Sequence, residues 1–104
     1  MKLLIPVLMA LSFSVSASDI YKTAEFSLGC VNLSDTRLVM DTIRYNTKDN
    51  AITLIDYMVE NGDCITLRQG ILFRLVDISG DYYRGAWLSD TSVRLWFHRG
   101  TLNQ

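Results

Sequence analysis

The sequence has few of the residues from which enzyme sites are usually built. It contains one histidine and two cysteines in 104 residues. A Ser/His/Asp or Cys/His catalytic set would have to use His98, and two cysteines with one histidine leave a tetrahedral zinc site incomplete. Neither a Gly-x-Ser-x-Gly nucleophile motif nor an EF-hand spacing is present. These absences argue against a hydrolase and a metalloprotein, and no cofactor is indicated.

The sequence also lacks an excess of charge of either sign. Ten Lys and Arg residues stand against 11 Asp and Glu residues. A protein with this balance has no overall electrostatic attraction for nucleic acid or for an anionic membrane surface. The acidic residues within 56–63 and 77–81 fit solvated helix faces and turns, because they lack the spacing of a calcium loop.

Only one long apolar run occurs, and it lies near the N-terminus. Residues 3–15 follow Lys2, and a Val-Ser-Ala sequence ends at residue 17. The run is shorter than the roughly 20 residues that span a bilayer. This pattern predicts a signal peptide over 1–17, a mature domain over 18–104, and a periplasmic or secreted location without a membrane span after cleavage. An uncleaved N-terminal anchor is the alternative.

The two cysteines, Cys30 and Cys64, can pair only with each other. Export to an oxidising compartment would allow a disulfide between them. Such a bond closes a loop of about 35 residues and is worth roughly 4 kcal/mol in the chain-entropy model. This is a large share of the roughly 5–15 kcal/mol that stabilises a domain. The spacing is far from Cys-x-x-Cys, so we predict a structural bond rather than a catalytic dithiol.

Between the cysteines the apolar residues recur at helical spacing. Ser34 is a good N-cap for a helix over about 35–45, and Asp49 is one for a second helix that ends near residue 61. The apolar stripes are Val39, Met40 and Ile43 on the first helix, and Ala51, Ile52, Ile55, Met58 and Val59 on the second. The short connection between them predicts an antiparallel helical hairpin over about 35–61.

After Cys64 the apolar residues alternate as they do in strands. Turn residues at 68–70, 79–81 and 89–91 divide the stretch into four short strands. The sequence therefore predicts an α+β fold, in which the helical hairpin is disulfide-linked to a small four-stranded antiparallel SH3-like sheet or barrel over about 64–98. The mixed signals of residues 18–28 predict an irregular arm.

Together these features resemble a known type of protein. Gly29-Cys30, a helical pair, Gly62-Asp63-Cys64-Ile65-Thr66-Leu67, Gly70 and a late aromatic strand follow in that order. The arrangement resembles a loose group of small exported bacterial proteins, in which a cysteine-bracketed helical hairpin precedes an SH3-like β unit. The resemblance implies a periplasmic location and a bacterial or phage setting. It brings no activity and no catalytic residue with it.

The last part of the chain carries the most suggestive surface. In the final strand Val93, Leu95 and Phe97 point to one face and Arg94, Trp96 and His98 to the other. Arginines beside an exposed tryptophan are typical of binding hot spots. We therefore predict a binding face that carries Tyr82, Arg84, Arg94, Trp96 and His98. Two alternatives stay open for Trp96: it is partly exposed as an anchor, or the first helix or the N-terminal arm covers it.

The leading hypothesis is a small non-enzymatic module that binds an envelope protein or a cell-wall component. An inhibitor, an immunity-type protein and a phage-exclusion protein are concrete versions. A cell-wall hydrolase using His98 is the first alternative. A structural accessory subunit of an envelope complex is the second, and the sequence does not give the oligomeric state.

Overall fold

The computed structural model describes residues 19–103, which form one curled antiparallel sheet and two helices. The predicted signal peptide lies outside these residues. The elements in chain order are β1 (Ile20–Thr23), β2 (Ser27–Cys30), α1 (Leu33–Tyr45), α2 (Lys48–Glu60), β3 (Cys64–Leu67), β4 (Leu72–Ser79), β5 (Tyr82–Trp87), β6 (Asp90–His98), a 3₁₀ turn (Arg99–Thr101) and β7 (Leu102–Asn103).

The seven strands lie in the order β3-β2-β6-β5-β4-β1-β7 and form a half-barrel. Three strands lie between β1 and β2, although only residues 24–26 connect these two strands in the chain. In a flat sheet they would be about 19 Å apart, at roughly 4.8 Å per strand. The four Cα steps from Thr23 to Ser27 reach at most about 15 Å. The sheet must therefore curl.

The architecture corrects the predicted fold. The four expected strands exist as β3 to β6, but they do not form a separate SH3-like unit after a helical hairpin. β3 does not neighbour β4: it is an edge strand that pairs with β2, so the stretch over 64–98 is not a continuous meander. Residues 18–28 also differ from the expected irregular arm, since they contain β1 and the first half of β2. These segments become strands through partners far along the chain, which local periodicity does not reveal.

The two helices lie close to their predicted positions but begin earlier. The N-cap of α1 is Asn32 rather than Ser34. The N-cap of α2 is Thr47 rather than Asp49, and its Oγ1 accepts a hydrogen bond from the Asn50 backbone N–H at 3.1 Å. Gly62 follows the second helix with a φ of +81°. This left-handed conformation ends the helix where the sequence predicted.

The predicted disulfide between Cys30 and Cys64 is confirmed. The two residues are direct cross-strand partners at the junction of β2 and β3, and their Cα atoms are 3.9 Å apart. The Met58 sulfur of α2 lies 3.7 Å from the Cys64 sulfur. The bond therefore joins the strand that precedes the helices to the strand that follows them, directly beneath α2.

The buried residues form two clusters on opposite faces of the sheet. The outer cluster consists of Cys30, Val39, Met58 and Cys64, between the helices and the β2–β3 pair. The inner cluster consists of Phe73, Leu95 and Phe97 inside the curl, with partly buried residues from both ends of the sheet, Leu67 and Leu102, packed against it. Successive strand residues point to opposite faces, so β6 serves both faces.

Helix α1 is attached to β6 by a buried polar contact that the apolar stripe does not predict. Thr36 is 1% exposed, and its Oγ1 donates a hydrogen bond to the Trp96 carbonyl at 3.0 Å. Val39, one turn later, is buried in the outer cluster, whereas Ile43 at the far end of the stripe is half exposed. The helix therefore contacts the sheet mainly through its first half.

Candidate binding face on strands β4 to β6

The strand register places the five predicted site residues side by side. Tyr82 lies opposite His98, and Arg84 lies opposite Trp96. Arg94 lies opposite Ala86, two residues along β5 from Arg84. All of these positions share the outer face of the sheet, because residues two apart on a strand point to the same side. The structure thus brings the predicted set together on one surface.

Trp96 is covered rather than exposed. Only 9% of its surface is accessible, and its strand lies against α1 through the Thr36 hydrogen bond. The Arg84 guanidinium lies over the indole, 5.9 Å from the ring centroid. Of the two alternatives for this residue, the structure favours coverage by the first helix. Trp96 is a support for Arg84 and is not itself an accessible anchor.

A similar arrangement surrounds Tyr82. Its ring meets the His98 ring edge to face, with centroids 5.4 Å apart. Arg37 of α1 lies 5.6 Å from the Tyr82 centroid, and its guanidinium donates a hydrogen bond to the Ser79 hydroxyl at 3.2 Å. Arg37 was not among the predicted site residues. Its helical position gives no sequence signal, since only the docking of α1 brings it to this face.

Arg74 of β4 is a second residue that the sequence did not indicate. It pairs with Ala86, which pairs in turn with Arg94, so the two arginines flank one alanine in a row across β4, β5 and β6. Ala86 is only 3% exposed. The Nε atoms of Arg74 and Arg84 are shielded from solvent and make no hydrogen bond within residues 19–103. Sequence alternation alone could not identify Arg74, because a register shift between Leu75 and Asp77 interrupts β4.

We call Arg37, Arg74, Arg84 and Arg94 together the arginine face. In the part of the chain that the structure describes, the only salt bridge joins Arg99 to Asp81, at 3.4 Å. The four guanidinium groups therefore have no carboxylate partner there. Asp77 is the nearest acid in the register, opposite Arg84, but its carboxylate accepts a hydrogen bond from the Ile78 backbone N–H.

His98 has a local structural contact. Its Nδ1 accepts a hydrogen bond from the Gly100 N–H at 3.1 Å and caps the 3₁₀ turn. The side chains that could complete a catalytic set with His98, namely Asp81, Asp90 and Ser92, are engaged elsewhere, and Asp81 forms a salt bridge with Arg99. Asp90 accepts bonds from the Ser92 hydroxyl at 2.6 Å and from its backbone N–H at 3.1 Å, and these bonds lower the pKa of the Asp90 carboxyl. The structure does not bring these side chains together as a catalytic set.

Other kinds of site find no counterpart in residues 19–103. No group of three or more His, Cys, Asp or Glu side chains there is arranged to hold a metal ion. Neither helix is both long and apolar enough to cross a membrane. An open depression of about 350 Å³ lies between α2 and β3, lined by Ile55, Asp56, Val59, Glu60 and Thr66. It is separate from the arginine face.

The arginine face offers positively charged hydrogen-bond donors held on a sheet and supported by aromatic rings. Such donors can form ion pairs and two-pronged hydrogen bonds with anionic groups. No protein-family model, curated protein or solved structure matches the chain. The donors and rings of this face are therefore the basis for assigning a function.

Proposed function

We propose that this protein is a small non-enzymatic binding module of the cell envelope, periplasmic or secreted, which recognises an envelope protein or a cell-wall component. The observation that carries the proposal is the alignment of Arg84 and Arg94 with Tyr82 on adjacent strands, without a carboxylate to neutralise the arginines within residues 19–103. Arginine and aromatic side chains supply much of the binding energy at protein interfaces. Inhibitor, immunity-type and phage-exclusion proteins are versions of such a module.

Two observations support the location. The disulfide between Cys30 and Cys64 is consistent with an oxidising compartment. The apolar run over residues 3–15, ahead of a Val-Ser-Ala sequence, has the composition of a secretory signal. A protein exported in this way would meet its partner outside the cytoplasm.

The hydrolase alternative has less support. It requires His98 to act as a base, but Nδ1 accepts a backbone hydrogen bond, and neither Asp81 nor Asp90 is bonded to the ring. The accessory-subunit alternative has one favourable observation. Several large apolar side chains on the helices are exposed, namely Leu38, Ile43, Tyr45, Ile52 and Tyr57. A permanent interface would cover them, and the mature protein would then purify as part of a complex.

A capture experiment with a matched control tests the proposal. Mature wild-type protein, the variant Arg84→Ala/Arg94→Ala and the control Arg44→Ala/Arg68→Ala are immobilised and exposed to envelope extract. Both variants lose two positive charges, but the control residues lie off the arginine face and are exposed. We expect the first variant alone to lose a partner that the wild type retains. Equal recovery by all three proteins would refute the assignment of this face.

A separate measurement addresses the hydrolase alternative. Wild type and His98→Ala are incubated with purified cell wall, and the release of soluble fragments is followed. We expect no release by either protein. Release of fragments that depends on His98 would refute the binding module and support the hydrolase alternative.

A further inference from the structure

We infer that the partner of the arginine face is an acidic protein surface, whose Asp and Glu carboxylates pair with Arg74, Arg84, Arg94 and Arg37. This inference rests on the proposed binding function and names the chemistry of the partner. It adds two residues, Arg37 and Arg74, that the sequence did not point to.

The spacing of the arginines suits a surface rather than a single small ion. Arg74 and Arg94 are two strands apart in one row, so their Cα atoms are separated by about 10 Å. Arg84 lies in the next row of β5, between them. Two open depressions within residues 19–103 lie elsewhere, around Thr66 and around Gly70. A partner that contacts all of these arginines must therefore present several anionic groups about one strand spacing apart.

The arginines are also held ready for such a partner. Arg84 lies over Trp96, and Arg37 lies over Tyr82 while it donates a hydrogen bond to Ser79. The Nε atoms of Arg74 and Arg84 are shielded, so the donors that these half-buried side chains can offer to a partner are their Nη groups. A guanidinium group that is already oriented loses less conformational freedom when it forms a two-pronged contact with a carboxylate.

The charge of the face is unbalanced in a chain whose total charge is close to neutral. None of the four arginines forms a salt bridge within residues 19–103, while the whole chain carries 11 acidic residues against 10 basic ones. Carboxylates of a partner would balance this local excess. Electrostatic complementarity of this type mainly sets the specificity and the rate of association.

A protein partner fits these observations better than a membrane or a nucleic acid. Trp96 is covered, so the face offers no large exposed aromatic ring to insert into lipid. The chain as a whole has no basic excess, which nucleic-acid binding ordinarily requires. Carboxylates on a protein match the planar guanidinium groups. Their recognition requires neither an exposed aromatic ring nor an overall basic excess.

Binding to immobilised poly-L-glutamate tests the inference. The mature wild-type protein is compared with Arg74→Gln/Arg84→Gln/Arg94→Gln and with the control Arg44→Gln/Lys48→Gln/Arg68→Gln, which loses the same charge at exposed positions. We expect the face variant to bind about tenfold more weakly at low salt, since three exposed ion pairs together are worth roughly that factor. The control should bind within about twofold of the wild type.

Two further supports separate the other classes of partner. The same three proteins are applied to heparin resin and to vesicles of phosphatidylglycerol. Wild-type binding to either support that exceeds binding to poly-L-glutamate, and that is lost in the face variant, would overturn the acidic-protein assignment in favour of a polyanion or a lipid surface. Equal binding of the face variant and the control to poly-L-glutamate would overturn it as well.

The outcome is distinguishable from a failure of the binding function. If the face variant loses its envelope partner but not its binding to poly-L-glutamate, the binding module stands and the acidic partner is wrong. If the face variant retains both its envelope partner and its binding to poly-L-glutamate, the assignment of the arginine face as the binding site is wrong. Circular dichroism checks that the face variant is folded. The single variant Arg94→Gln, at the most exposed position of the three on the sheet, replaces it if the triple variant unfolds.

Discussion

The outer and inner clusters of this protein are built from different types of residue. Two of the four residues of the outer cluster are the disulfide-bonded cysteines, whereas the inner cluster consists of Phe73, Leu95 and Phe97. One cluster depends on a covalent bond and two short helices, and the other on aromatic packing across three central strands. A small sheet that is covered on both faces thus combines two modes of stabilisation. The comparison predicts that the two sides respond differently to the same perturbation.

The largest effect is expected from truncation within the inner cluster. Phe97 is fully buried and meets Phe73 edge to face, with ring centroids 4.9 Å apart. Replacing Phe97 with Ala should lower the free energy of unfolding by about 3–5 kcal/mol, because it leaves a cavity where neighbouring strands cannot close. The matched control is Phe26→Ala, since Phe26 is 72% exposed, and it should change stability by less than about 0.5 kcal/mol. Urea titration measures the free energy of unfolding of both variants. Similar losses in the two would show that Phe97 is not a main source of stability.

The next largest effect is expected from removal of the disulfide. The variant Cys30→Ala/Cys64→Ala should lose about 2–5 kcal/mol of stability. The loss should be uneven, because only the outer cluster contains the cysteines. Hydrogen exchange should show α1 and α2 losing protection before β4, β5 and β6 do. A uniform loss over helices and sheet would show that the two clusters unfold as one unit.

A smaller effect is expected from the contact that joins the two sides. Thr36→Val keeps the shape of the side chain but removes the donor to the Trp96 carbonyl, which would cost about 1 kcal/mol or somewhat more if the carbonyl stays unsatisfied. Thr42→Val is the control, since the Thr42 hydroxyl bonds to the Leu38 carbonyl of its own helix at an exposed position. Thermal unfolding should separate the two variants. Equal midpoints would mean that α1 is held by apolar contacts alone.

The smallest effect concerns pH at the start of β6, away from both clusters. Hydrogen bonds from Ser92 lower the pKa of the Asp90 carboxyl in the folded protein. The stability that this carboxylate contributes is present above its unfolded pKa and is lost as the pH falls through the lower folded value. NMR titration should find the Asp90 pKa below its ordinary value, and Ser92→Ala should raise it. An unchanged pKa in that variant would assign the shift to the backbone bond alone.

Local patterns in the sequence were sufficient for the helices and for the strands β3 to β6. The apolar stripe of α2 and the glycine at residue 62 are signals carried by the helical segment itself and by the residue that ends it. The alternation in β6 correctly separates Leu95 and Phe97 from Arg94 and Trp96. Period and turn chemistry act over a few residues, so they can be read without the fold.

The order of the strands in the sheet could not be predicted from such local patterns. β1 and β2 lie in a stretch of mixed apolar and polar signals, and β7 has only two residues. Their pairing is also remote, since Tyr21 lies opposite Phe73 and Thr23 opposite Leu102. The SH3-like prediction was wrong because it assumed that strands adjacent in the chain are adjacent in the sheet.

For the candidate binding face, too, the sequence predicted some residues and not others. Alternation placed Arg94, Trp96 and His98 on one face of β6, but it did not show that Trp96 is covered, because the cover comes from a distant helix, α1, whose Thr36 bonds to the Trp96 carbonyl. Arg37 and Arg74 joined the face through helix docking and through the register of β4. Contacts between elements, rather than patterns within them, determine which arginines act together.

The position of β1 has a consequence for the order in which the chain can fold. β2 acquires its partner β3 after the two helices, whereas β1 must wait for β4 and then for β7 at residues 102–103. A chain released from its N-terminus therefore pairs β2 with β3 early, leaves Ile20–Thr23 unpaired until β4 has emerged, and leaves the second edge of β1 open until β7 follows. Closure of the curl is then the late step, and helper proteins that shield unpaired strands would act on β1.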